Sequence, residues 1–124
     1  MPLQQRFKLR DGQTETLLLE LDGSSAQGHM HLREYMLSLF RLRALDNLLA
    51  TKPKAAEVMR FMANIHEVWA DFHSAQMRIE DSDVVDLLAA FESANLEYCE
   101  EVAAFLATFR KSHPTGILIY SATT

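Results

Sequence analysis

Hydrophobic and polar positions alternate at the start of the chain. Phe7 and Leu9 sit between Arg6, Lys8 and Arg10, and Asp11-Gly12 follows, a dipeptide that favours a tight turn because glycine accepts positive φ. Thr14, Thr16, Leu17 and Leu19 then suit a returning strand, although Leu17-Leu18-Leu19 blurs which face is buried. Asp22-Gly23-Ser24-Ser25 ends it, and residues 6–22 are expected to form a β-hairpin.

The period then changes from two to three or four. A first helix is expected to start between Ser25 and His29 and to run to about Leu49. Its apolar stripe includes Met30, Leu32, Tyr35, Met36, Leu39, Phe40, Leu42, Leu45, Leu48 and Leu49. At Thr51-Lys52-Pro53-Lys54 the chain breaks and restarts, with Thr51 able to cap and Pro53 tolerated in a first turn. A second helix is expected from about Lys54 to Arg78, lined by Val58, Met59, Met62, Ile65, Trp69, Phe72 and Met77. After Glu80-Asp81-Ser82-Asp83, where Ser82 or Asp83 can cap the next turn, a third stretch runs from Val84 to about Lys111. It is expected to bend near Ser93–Asn95. His113-Pro114-Thr115-Gly116 closes it. Ile117–Tyr120 then reads as strand-like, able to pair with the hairpin edge or a neighbouring chain, and Ser121–Thr124 as frayed. The expected fold is α+β, mainly α, in a single domain over 1–124: a hairpin at 6–22, a bundle of about three helices over 27–111, and a tail at 114–124.

Composition narrows the functions. With 124 residues and 48% apolar content the chain can bury a core without metal or disulfide. Its formal charge of −5 makes it a poor nucleic-acid binder, because Lys and Arg must replace phosphate counterions. No apolar run reaches the roughly 20 residues of a membrane span. With one cysteine, Cys99, no internal disulfide can form, and the N-terminus lacks a secretory pattern, so a cytoplasmic setting is expected. Cys99 lies beside Glu100 and Glu101, which disfavour a thiolate, and reads as a core residue.

No catalytic or metal motif stands out. His29 and His31 point apart on a helix, and His66 and His73 lie two turns, about 10 Å, apart. His66-Glu67 meets Ala70 where a zinc-protease helix needs its second histidine. The stretch from Asp81 lacks the calcium-loop glycine: its sixth position is Asp86, and Glu92 at the twelfth matches in type only. Between Glu80 and Glu101 there is no Lys or Arg, so an acidic face is expected, with Glu97 and Glu101 on one side of a helix. Such a face could meet a basic partner, including the basic part of a second copy. The four glycines are too dispersed to cradle a phosphate, and no serine sits in a nucleophile elbow. An enzyme is not expected, nor a cofactor. Six Met and seven Phe supply adaptable apolar surface for a helical partner or for self-association. The candidate partner-binding residues are Met59, Met62, Phe105, Phe109, Ile117, Ile119 and Tyr120.

The stretch Phe7-Lys8-Leu9-Arg10-Asp11-Gly12 through Leu18-Leu19-Glu20-Leu21-Asp22-Gly23, leading into Leu32-Arg33-Glu34-Tyr35-Met36, resembles the tail assembly chaperones of long-tailed bacteriophages. In those proteins a strand-borne Leu-x-Glu-Leu phrase similarly precedes the first helix. The resemblance implies a non-enzymatic protein of the host cytoplasm that binds the long, helical, aggregation-prone tape measure protein and self-associates. It also implies that a longer form can arise by frameshifting, with the segment after Arg110-Lys111 ending the short product. The competing expectation is a small acidic inhibitor or adaptor docking on a nucleic-acid-binding protein through Glu97 and Glu101.

Overall fold

A computed structural model describes residues 4–22, 27–93 and 100–123. The chain is α+β. Its elements in order are β1 (Gln4–Asp11), β2 (Thr14–Asp22), α1 (Gln27–Ala50), α2 (Ala55–Ala63), a 3-10 turn (Ile65–Glu67), α3 (Val68–Ser74), β3 (Met77–Ile79), α4 (Asp81–Ser93), α5 (Glu100–Ser112) and β4 (Ile117–Thr123).

The hairpin forms as its alternation demands, but its two-residue loop is Gly12-Gln13, one place beyond the expected dipeptide. Asp11 pairs with Thr14, and Gly12 has φ +64°. Positive φ at the first loop position alone matches a hairpin turn of the II′ kind. A bulge between Phe7 and Lys8 accommodates the three leucines by shifting the register of β2.

The tail pairs with the hairpin edge, as one of the two expectations held. β4 lies antiparallel to β1 over its whole length, so residues 121–123, expected to fray, are strand; Thr124 lies outside the described residues. β3 adds to the other edge of β4, giving the antiparallel order β2-β1-β4-β3.

The helix expected over Lys54–Arg78 is broken in three. α2 stops at Asn64, whose N–H is shared by the carbonyls of Arg60 and Phe61, and a 3-10 turn leads into α3. Met77-Arg78-Ile79 is strand because its alternation puts Met77 and Ile79 on the core side opposite Tyr120 and Leu118. The stretch expected over Val84–Lys111 is two helices, α4 and α5. The expected bend reaches into residues 94–99, which with Cys99 and Glu97 lie outside the described residues. Among the described residues five α-helices therefore replace the expected three.

The core lies between one face of the sheet and the helices. The sheet gives Phe7, Leu21, Met77, Ile79, Leu118, Tyr120 and Ala122. The helices give Leu32, Met36, Leu37, Phe72, Leu87, Phe91, Val102, Leu106 and Phe109. An aromatic row runs through it: Phe40–Phe72, Phe72–Tyr120, Tyr120–Phe7, Phe7–Phe105 and Phe105–Phe109 have ring centroids 5.3 to 6.1 Å apart. Gln5, on the same sheet face and fully buried, accepts a 2.5 Å hydrogen bond from the Tyr120 hydroxyl. The outer face carries a polar lattice, with Arg6 on Glu20 at 3.1 Å and Arg10 and Lys8 both on Glu15.

Two arginines tie the helices to the sheet. Arg43 of α1 donates to Asp83 and to the carbonyl of Arg78. Arg110 of α5 donates to Asp81 Oδ1 at 3.2 Å and to the carbonyls of His113 and Gly116 at 3.2 and 3.1 Å. Both end on the first turn of α4. There Asp83 accepts from the Glu80 N–H at 2.8 Å, the backward half of a capping box rather than the forward cap expected.

Candidate functional site

Of the residues expected to meet a partner, three are interior. Phe109 and Tyr120 belong to the core. Ile119 is buried on the other face of the sheet, between Lys8 and Arg78 in the strand register, where long aliphatic stems cover apolar surface. These three are removed from the partner surface. Six of the seven phenylalanines make core contacts, which is where most of the aromatic content goes. Phe105 is half-buried against Phe7, and Ile117 is half-buried at the start of β4. Met59 and Met62 are the two of the set that stand out, 70% and 51% exposed.

Their exposure follows from the helix that carries them. α2 has a strongly one-sided sequence, AAEVMRFMA, yet none of its residues is buried. Its inward side chains, Val58 and Phe61, are only half-buried, because α1 leaves the core halfway along: no residue of α1 beyond Leu37 is fully buried. The second half of α1 and α2 thus cover each other incompletely. Leu42 and Leu49, seven residues or two turns apart on α1, are 55% and 48% exposed. Between the helices is an open groove of about 230 Å³, lined by Ser38, Arg41, Leu42, Leu45, Phe61, Met62 and Ile65. Leu42, Leu49 and Arg41 were not singled out from sequence. The available signal was the first helix's apolar stripe, too wide for one contact.

Among the described residues Arg41 is the only charged group lining this groove. Its Nε is buried without a hydrogen-bond partner, and among the described residues no ion pair holds it. A larger groove, about 370 Å³, lies on the other side of α2. Its lining mixes Leu48, Phe61 and Val68 with Glu57, Glu67, Asp71, Asn64 and Arg60.

The acidic run is less free than its sequence implies. Glu80 pairs with Arg78 at 2.9 Å, Asp81 with Arg110, and Asp83 with Arg43. Asp86, Glu92, Glu100 and Glu101 remain exposed. His66 is exposed in the 3-10 turn, while His73 is half-buried on α3 beside Phe72, so the two sit on separate elements. Among the described residues no three His, Cys, Asp or Glu side chains converge as metal ligands, and no helix is long and apolar enough to cross a membrane. No protein-family model, curated protein or solved structure matches the chain.

Proposed function

We propose that the chain is a tail assembly chaperone of long-tailed phages, which binds helices of the tape measure protein in the host cytoplasm and keeps them from aggregating. The observation that carries this reading is the uncovered apolar face of the α1–α2 pair. An amphipathic helix with no buried residue, edged by Met59, Met62, Leu42 and Leu49, suits an apolar helical partner. Methionine adapts to many apolar shapes, which fits a chaperone whose client offers successive, unlike turns. A net charge of −5 keeps such a face in solution.

The test is co-expression with the tape measure protein of the same genome. The wild type is expected to raise the soluble fraction of that protein, and the Met59→Asp/Met62→Asp double variant to leave it insoluble while keeping the wild-type Tm. Equal solubility with and without the wild type would refute the reading. In the acidic run behind the competing adaptor role, Glu80, Asp81 and Asp83 pair with the chain's own arginines, while Glu101, one of its docking residues, is exposed.

A further inference from the structure

We infer that the helix received by the α1–α2 groove carries a carboxylate within its apolar stripe, opposite Arg41. The inference rests on the reading of this face as a docking surface and adds the chemistry of its occupant.

The argument starts from the imbalance at Arg41. Most arginines near the core have acceptors: Arg43 and Arg110 each hold a carboxylate together with backbone carbonyls. Arg41, half-buried on α1 like them, meets no acceptor among the described residues. A guanidinium partly removed from water without a counter-charge is unfavourable, and more so once an apolar partner strips away the remaining water. A wholly apolar helix laid over Leu42 and Met62 would therefore raise the cost of Arg41. A helix presenting Glu or Asp there would turn that cost into a charge-assisted, two-pronged hydrogen bond in a dry setting. The surrounding Leu42, Leu45, Phe61, Met62 and Ile65 supply apolar contact on both sides, so the single charge sets register while the stripe supplies area. A second copy docking by the same face would bring another Arg41 and no carboxylate from its own groove lining, so the favoured occupant is a different chain.

The experiment uses the full chain and three synthetic helical peptides of about five turns. Each carries the same leucine stripe and differs at one central stripe position, Glu, Gln or Lys. Binding is read by fluorescence anisotropy. Wild type is expected to bind the Glu peptide about tenfold tighter than the Gln peptide and to bind the Lys peptide weakest. Arg41→Glu should invert the Glu and Lys order, and Arg41→Met should level all three. An unchanged order in Arg41→Glu overturns the inference. So does binding of no peptide, or light scattering that shows a wild-type oligomer broken by Met62→Asp, since the occupant is then a second copy. Rescue of the tape measure protein together with an unchanged peptide order would leave the chaperone role standing and remove the carboxylate. The converse would do the opposite.

Discussion

At Gly116 the backbone has φ +100°, and a Cβ there would lie 2.7 Å from Leu9 Cδ1 and 3.1 Å from the carbonyl of Arg10. Both strain and space oppose any side chain at the entrance to β4, so Gly116→Ala is expected to cost about 2 kcal/mol, read from urea midpoints. Gly12 has positive φ but open space around it, and the same change should cost only the conformational part, about 1 kcal/mol. Lys52 holds φ +53° just past α1, where glycine is the usual occupant, and Lys52→Gly is expected to raise the stability by up to about 1 kcal/mol. Burial pushes the Tyr120 hydroxyl well above the usual tyrosine range, against a smaller lowering by the Arg33 guanidinium. The folded state therefore holds that proton more tightly than the unfolded one. Stability is full below the ordinary pKa of about 10 and falls as pH rises beyond it. Thermal melts between pH 8 and 11 should show that decline, and it should be lessened in Tyr120→Phe. Sequence told that a glycine turn follows β1. It did not tell that Gly116 touches Leu9, because no local pattern encodes a contact across more than a hundred residues.

Elements were legible where period and punctuation agreed. The hairpin has clean alternation and a turn glycine, and α1 has an uninterrupted stripe closed by Thr51, whose hydroxyl bonds the Leu48 carbonyl at 2.6 Å. The middle of the chain was not legible, since neither glycine nor proline occurs between Pro53 and Pro114. Asn64, a weak helix former, and Ala75, a strong one, both end helices there through backbone geometry that propensity does not encode. Met77 fits the expected helical stripe, whereas Met77 and Ile79, two apart, share a face only in a strand, and their pairing with Tyr120 and Leu118 decides. The first turn of α4 then becomes a junction, because Asp83 receives both Arg43 and its own capping N–H. A double-mutant cycle with Arg43→Met and Asp83→Asn is expected to give a coupling of about 1–3 kcal/mol, with Asp83→Asn alone the costlier change. Additive effects would mean that the clamp contributes nothing.

Across the molecule, the buried core and the uncovered apolar face lie apart. The core joins the sheet to α3, α4, α5 and the first half of α1, whereas the second half of α1 and α2 contribute no fully buried side chain beyond Leu37. Met59→Asp and Met62→Asp should therefore shift the urea midpoint by no more than about 0.5 kcal/mol equivalent, while Phe7→Ala should cost about 3–5 kcal/mol. The candidate surface was half visible in the sequence. Met59 and Met62, chosen for their apolar chemistry, are exposed, but Phe109, Ile119 and Tyr120, chosen on the same ground, are interior. Only the tertiary packing separates the two groups. The sheet order has a consequence in time. β4 sits between β1 and β3, so the strand made last fills the middle of the sheet. Gln5 and Tyr120 are 115 positions apart, and a ribosome needs roughly 6 to 23 s to travel between them. Throughout that interval the nascent hairpin offers a bare edge, and Phe7 waits for the strand and helix that will cover it.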